Sequence, residues 1–204
     1  MINGAIANGG TILYDDTAGH AMNGSLMNTP GGTVDVITSL NGNGNNVINH
    51  SNYNVMAGGT ATGIDHFANR QGGTLDIRAD AATGTTGSLT ATTITNDVGG
   101  TINNAGTLTA DLLRSSGTLN STGTLNGRVA IGRAGDAVLS NVITGQLHNS
   151  GDFSTGGNLS VGGFVNAGEG RSLRACDDRS GSACRKHGRD LDGERHFGRI
   201  SAQP

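Results

Sequence analysis

The segment Gly145-Gln-Leu-His-Asn-Ser-Gly-Asp-Phe-Ser-Thr-Gly-Gly-Asn-Leu-Ser-Val-Gly-Gly-Phe-Val-Asn166 repeats a Gly-x-apolar unit every six residues. In the first three units the apolar residue has polar neighbours, which is the alternation of a strand with one buried face. Six residues hold a short strand and a bend, but they leave no room for the reversing turn of a hairpin, which repeats at about 8 to 12 residues. The segment therefore predicts short strands wound into a parallel coil.

The same unit recurs along most of the chain without a longer fixed period, as in Thr74-Leu-Asp-Ile77 and Thr107-Leu-Thr-Ala110. We therefore predict an all-β fold, a right-handed parallel β-helix (β-solenoid), over residues 1–170, with about 18 to 22 residues per coil and roughly eight coils. A flexible Gly-, Asn- and Thr-rich linker is the alternative. Units at other positions begin at Gly10, Gly24, Gly32, Gly73, Gly87, Gly100, Gly106, Gly117, Gly123 and Gly127.

The composition differs from that of an ordinary globular protein and restricts the partners. The chain has 36 Gly, no Trp and 3% aromatic residues, so we expect a thin core of small branched side chains. Residues 1–170 carry five Arg, no Lys and eleven acidic residues. This weakly acidic surface disfavours nucleic acid, whose phosphates require clustered Lys and Arg. No apolar run is long enough for a membrane-spanning helix, and the first ten residues do not resemble a signal peptide.

The character of the sequence changes near residue 170. Residues 171–204 contain both cysteines, the only lysine and most of the arginines, and the Gly-x-apolar unit stops. We expect an Arg-rich, disordered tail, and we favour an out-of-frame extension of a repeat gene as its origin. The alternatives are a tail that binds an anionic partner and a small metal or disulfide module. Cys176, Cys184, His187 and His196 lack the usual zinc-ligand spacing, so we predict no metal site there.

No other motif supports a catalytic, cofactor-binding or metal-binding residue. The passage Asn41-Gly-Asn-Gly-Asn-Asn46 has no Asp for calcium, and we interpret residues 41–54 as turns and loops between short strands. His148 follows an apolar residue as in hexapeptide acyltransferases, but the repeat there is too short. Thr-x-Thr pairs such as Thr107/Thr109 do not recur at a constant interval, so no regular hydroxyl array is expected. The acidic residues are scattered, and we predict solvated surface rather than an acidic catalytic cluster.

The runs Gly100-Thr-Ile-Asn-Asn-Ala-Gly-Thr-Leu-Thr-Ala110, Gly117-Thr-Leu-Asn-Ser-Thr-Gly-Thr-Leu-Asn-Gly127 and Leu147 to Gly168 resemble passenger domains of bacterial autotransporters and related large adhesins. The resemblance implies export, a C-terminal outer-membrane barrel in the parent protein, and display on the cell surface for adhesion and virulence. It implies host or neighbouring-cell surface ligands and no cofactor.

We therefore predict a fragment of a cell-surface adhesin passenger without catalytic activity. The alternatives are a glycan-active β-helix enzyme, whose turnover would depend on one or two Asp, and a non-functional truncated gene product. Isolated end coils would expose open strand edges, so we also expect self-association.

Overall fold

A computed structural model describes residues 2–167 and 185–186 of the chain and shows an all-β architecture in this part. Almost every strand pairs in parallel with a strand one coil later in the sequence. In chain order the strands are β1 (Ile2–Asn3), β2 (Ile6–Asn8), β3 (Thr11–Tyr14), β4 (His20–Asn23), β5 (Leu26–Asn28), β6 (Thr33–Val36), β7 (Ser39–Asn49), β8 (Asn52–Val55), β9 (Thr60–Asn69), β10 (Thr74–Ile77), β11 (Ala79–Asp80), β12 (Thr85–Thr86), β13 (Ser88–Asn96), β14 (Thr101–Asn104), β15 (Thr107–Ser115), β16 (Thr118–Ser121), β17 (Thr124–Ile131), β18 (Asp136–Asn149), β19 (Asp152–Asn166) and β20 (Arg185–Lys186).

Each coil contributes three strand segments, which stack into three columns of parallel strands that we call faces A, B and C. Face A contains β3, β6, β8, β10, β14, β16 and the starts of β18 and β19. Face B contains β1, β4, the starts of β7, β9, β13, β15 and β17, and the middles of β18 and β19. Face C contains β2, β5 and the ends of the same long strands. The predicted parallel β-solenoid of about eight coils is confirmed.

The length of a coil varies because the corners between faces absorb extra residues. Residues in register on face A are separated by 16 positions between Asp136 and Asp152 and by 22 between Asn52 and Thr74. One coil is longer, with 27 positions between Thr74 and Thr101. Its extra residues form the antiparallel hairpin β11–β12, which projects between faces A and B. Corner insertions therefore obscure the period in the sequence while the strands remain stacked in register.

The core lies inside the coils and is built from alternate residues of each strand. In β10, Leu75 and Ile77 are fully buried while Thr74 and Asp76 face outward. Each buried Leu or Ile side chain stabilises the fold by about 1.5 to 3 kcal/mol. Two aromatic residues reinforce the middle of the stack, since the rings of Tyr53 and Phe67 meet edge to face with centroids 5.0 Å apart. The core thus holds some large side chains besides the expected small branched ones.

A ladder of buried polar side chains lies at the end of face C, and it was not predicted from the sequence. Each asparagine donates from Nδ2 to the side-chain oxygen of the residue one coil later, over distances of 2.8 to 3.0 Å. Every member is less than a tenth exposed. We call it the asparagine ladder, and its members are Asn8, Asn28, Asn49, Asn69, Asn96 and Ser115.

The asparagine ladder also ties each corner to the next coil. The Nδ2 atom of Asn69 donates to the carbonyl oxygen of Gly73 at 3.1 Å and to that of Thr101 at 2.9 Å. Buried polar groups are costly unless they are bonded, and here the stacking itself supplies the partners. Ile131 follows Ser115 in register and interrupts the ladder, which resumes with a 2.8 Å bond between Asn149 and Asn166.

The Asn-rich passage at residues 41–54 contains more strand than the sequence suggested. It lies mostly in β7 and β8, and β7 bends at the corner between faces B and C. The bend is made by Asn43, whose φ of 52° is left-handed, and whose backbone N–H donates to Asn41 Oδ1 at 2.9 Å. Asparagine tolerates this conformation better than most residues, so the expected turn is present but is much shorter.

Most of the tail at residues 171–204 lies outside the described residues, and with it Cys176, Cys184, His187 and His196. The exception is the short strand β20, which pairs in parallel with the end of β19 through Val165 and Asn166. The expectations of disorder and of an out-of-frame origin for this tail remain predictions.

Candidate binding surface

The outward side chains of face A form two straight columns of polar groups. Because strands are stacked about 4.8 Å apart, residues in register repeat at that distance along the solenoid. Over five successive coils each strand shows a Thr or Asn and, two residues later, an Asp or Asn. The pairs are Thr33/Asp35, Asn52/Asn54, Thr74/Asp76, Thr101/Asn103 and Thr118/Asn120.

Face B presents a second pair of columns, which is richer in hydroxyl groups. Ser39, Thr60, Ser88, Thr107 and Thr124 follow one another in register. The second outward position of the same strands holds Asn41, Thr62, Thr90, Thr109 and Asn126. We refer to the outward columns of faces A and B together as the polar columns.

Hydrogen bonds between coils hold several of these side chains in fixed positions. Asn54 Nδ2 donates to Asp35 Oδ1 at 2.6 Å, and Asn126 Nδ2 donates to Thr109 Oγ1 at 3.1 Å. A side chain that is already ordered loses less conformational entropy when a ligand binds. The polar columns are thus a flat, partly pre-organised set of donors and acceptors.

The threonine pairs contribute to one column of hydroxyl groups in register, although their spacing in the sequence is irregular. Thr60, Ser88 and Thr107 are register partners on three successive coils of face B. Thr90 is likewise a register partner of Thr109, but the register between β9 and β13 shifts beside Thr62. The hairpin β11–β12 lengthens one of the intervals, which hides the regularity. Ser88 replaces a threonine in the middle coil, so a search for Thr-x-Thr alone misses that member.

The structure keeps most acidic residues apart, as the sequence suggested, but brings one pair together. Asp136 and Asp152 are register partners at the starts of β18 and β19, and both are exposed. Asp97 instead pairs with Arg70 at 2.8 Å, and Asp76 with Arg78 at 2.8 Å. The sequence predicts that the adjacent Asp15 and Asp16 point to opposite faces of a strand. The carboxylates that are scattered in the sequence are Asp35, Asp65, Asp76, Asp80, Asp97, Asp111, Asp136 and Asp152.

Among the described residues, three ionisable groups have shifted pKa values, and each shift has a structural origin. In the β11–β12 hairpin, the Thr83 hydroxyl and then the Ala82 backbone N–H donate to Asp80, which lowers the pKa of that carboxyl group. Burial in the core raises the pKa of the Tyr14 phenol, and it raises the pKa of the Tyr53 phenol far above its usual value. Asp80 orders an exposed turn, whereas Tyr14 and Tyr53 lie in the core of the coils.

His148 lies on the outward side of face C, half-buried, with its Nε2 atom 3.3 Å from Gln146 Oε1. Within the described residues no group of three or more His, Cys, Asp or Glu side chains could hold a metal ion. In the same part of the chain no helix is long and apolar enough to cross a membrane. The polar columns of faces A and B are the candidate binding surface of these coils.

Comparison with known proteins identified a family for this chain. A family model described as the BigA fourth domain matches residues 65–203, more than half of the chain and both sides of the composition change at residue 170. No curated protein and no solved structure matches the sequence. The match and the solenoid fold together fit a surface-associated structural repeat protein. Because the matched segment covers more than half of the chain, the chain belongs to the BigA fourth-domain family.

Proposed function

We propose that this chain is part of a bacterial surface adhesin of the autotransporter-passenger type. Its solenoid acts as a rigid, non-catalytic rod that presents the polar columns to the surface of a host or neighbouring cell. The observation that supports this proposal is the unbroken register of outward Thr, Asn and Asp side chains across five coils of face A. The family match and the fold agree with display at the bacterial surface.

Contacts of this kind are individually weak. An exposed hydrogen bond exchanges a water partner for a ligand partner, so its net contribution is about 0.5 to 1.5 kcal/mol. Repetition along the rod compensates for the weakness of each contact. Once one coil is bound to a surface, the neighbouring coils meet that surface at a high effective concentration. The proposal therefore predicts binding energy that is distributed over many coils and no single decisive residue.

The test is adhesion of beads coated with the full chain to cultured host cells and to bacterial cells. One variant removes one coil of the columns by Thr74→Ala and Asp76→Ala. A second adds the changes Thr101→Ala, Asn103→Ala, Thr118→Ala and Asn120→Ala. We expect a modest loss in the first variant and a severalfold loss in the second, since the contacts add.

Circular dichroism and thermal unfolding are the control, because outward substitutions are expected to change stability by only about 0.5 kcal/mol each. Adhesion of coated beads no greater than that of albumin-coated beads would refute the proposal. Complete loss in the single-coil variant would contradict distributed binding and indicate a local site instead.

A glycan-active enzyme is a second candidate function, and the pair Asp136 and Asp152 is the observation that favours it. Neighbouring parallel strands bring such carboxylates to about 5 Å, close to the separation in retaining glycosidases. Incubation with pectin-like and other acidic glycans discriminates the two functions. The adhesin proposal predicts no product, whereas the enzyme predicts product that is lost in Asp152→Asn.

A further inference from the structure

A shallow groove lies at the corner between faces B and C, beside the polar columns, and crosses three coils. Its volume is about 230 Å³. The floor consists of Ile64, Ala91 and Ala110, which are each at most 5% exposed. We call this feature the corner groove.

The rim of the corner groove carries polar side chains from two neighbouring coils. Thr90 and Thr92 come from β13, and Thr109 and Asp111 come from β15. Ala91 is in register with Ala110, and Thr93 with Leu112, so Thr92 and Asp111 are stacked neighbours. The register of the coils thus gathers three hydroxyl groups and one carboxylate around an apolar floor.

Most of this hydrogen-bonding capacity is free to meet a ligand. Among the described residues, Thr90, Thr92 and Asp111 make no side-chain hydrogen bond or ion pair, and only the Thr109 oxygen accepts one, from Asn126. A hydroxyl group both donates and accepts, whereas an ionised carboxylate only accepts and can receive two donors at once. The rim therefore matches a ligand that carries several adjacent hydroxyl groups.

Charge and size narrow the ligand class further. No Lys, Arg or His lines the groove, so an anionic ligand would meet only the repulsion of Asp111. A lysine side chain would satisfy Asp111 alone, and an exposed ion pair contributes only about 0 to 1 kcal/mol. The volume is below the roughly 300 to 1,000 Å³ of pockets for drug-sized ligands, which suits a single small ring.

We infer that the corner groove binds one uncharged sugar residue of a surface glycan. The apolar C–H face of the ring lies on Ile64, Ala91 and Ala110, and neighbouring ring hydroxyls donate to the Asp111 carboxylate. The Thr90 and Thr92 hydroxyls exchange hydrogen bonds with the remaining ring oxygens. This inference rests on the proposed function and deepens it by naming the ligand class at one position on the rod.

The test is a titration of the ¹⁵N-labelled full chain with methyl glycosides of glucose, galactose, mannose and N-acetylglucosamine, followed by NMR. We expect saturable shifts for at least one sugar, confined to the amides of residues 63–64, 90–92 and 109–111. Thr90→Val and Asp111→Asn should each weaken binding by roughly tenfold. Thr122→Val is the matched control, because it removes an exposed hydroxyl that lies outside both the corner groove and the polar columns, and it should leave the affinity unchanged.

Unchanged spectra with every sugar at millimolar concentration would overturn the inference. Larger shifts of the same amides with Nα-acetyl-lysine amide than with any sugar would also overturn it, in favour of a peptide partner. Bead adhesion separates this inference from the proposed function. Bead adhesion without sugar binding would support the adhesin proposal and refute the sugar site in the corner groove. Sugar binding without bead adhesion would support the sugar site and refute the adhesin proposal.

Discussion

The substitution Asn69→Asp is expected to lower the free energy of unfolding by about 3 to 5 kcal/mol, the cost of an unpaired buried charge. Asn69 is fully buried, and its Nδ2 atom donates to Asn96 Oδ1, Gly73 O and Thr101 O within 3.1 Å. An aspartate oxygen at that position would face three acceptors. Natural domains are stable by only about 5 to 15 kcal/mol, so urea denaturation should show an obvious loss.

The pH dependence of this variant gives a second measurement. Burial among acceptors raises the pKa of the new carboxyl group in the folded chain above its unfolded value of about 3.9. The folded state then retains a proton that the unfolded chain releases, so stability falls as the pH rises between these two pKa values. The loss should therefore be largest at neutral pH and smallest near the unfolded pKa.

Asn52→Asp is the matched control, since Asn52 is exposed on face A and Asp136 and Asp152 occupy the same column naturally. It should change stability by no more than about 0.5 kcal/mol. Equal destabilisation by Asn69→Asp and Asn52→Asp would contradict the buried asparagine ladder.

The substitution Gly123→Ala is expected to cost about 3 kcal/mol, at the upper end for overpacking. Gly123 directly precedes β17 on face B, and a Cβ atom there would overlap the backbone of Ala105 and Gly106 in the preceding coil. Backbone cannot rotate away as a side chain can, so the coils must separate locally. The midpoint temperature of thermal unfolding should fall by roughly 6 to 12 °C.

Gly10→Ala serves as the control for this prediction. Gly10 also precedes a Thr at the start of a strand, but a Cβ atom there would meet no other atom within 4 Å. Alanine reduces the freedom of the unfolded chain, so this variant should be neutral or slightly stabilised. A stable Gly123→Ala protein would show that the coils are not packed as closely as described.

These glycines explain why the fold was predictable from the sequence. The Gly-x-apolar unit meets two physical requirements of a stacked coil, which are close approach to the previous coil and an apolar side chain in the core. At Gly106 and Gly123 there is no room for a side chain against the previous coil, and two residues later Leu108 and Leu125 point into the core. A local pattern of three residues was therefore sufficient to predict parallel strands and the approximate number of coils.

The sequence analysis did not predict the asparagine ladder, because a single asparagine near a glycine is typical of a turn. A signal was present, since Asn69-Arg-Gln-Gly-Gly-Thr74 and Asn96-Asp-Val-Gly-Gly-Thr101 share the same ending. This shared ending predicts stacked asparagines only if the register of the coils is known, because the intervals differ. Asn69 and Asn96 are 27 positions apart, whereas Asn49 and Asn69 are 20 apart. Corner insertions set these intervals, and no periodicity predicts them.

The candidate surface was less predictable than the fold for the same reason. Thr92 and Asp111 are distant in sequence, and only the stacking of β13 on β15 makes them neighbours. The corner groove depends further on Ala91 and Ala110 being in register at the end of face B. Scattered polar residues become columns or rims only when the coil lengths are known, so sequence analysis assigned no site residue.

The most direct test of the parallel stack is a set of spin-label distances along face A in a chain with Cys176→Ser and Cys184→Ser. Thr11, Thr33, Asp136 and Asp152 belong to one column of register partners. At about 4.8 Å per coil, backbone distances of roughly 24 Å for Thr33–Asp136, 29 Å for Thr11–Asp136 and 34 Å for Thr11–Asp152 are expected. Narrow distributions that increase in these steps would support the solenoid, whereas broad distributions or distances that do not grow with the number of coils would contradict it.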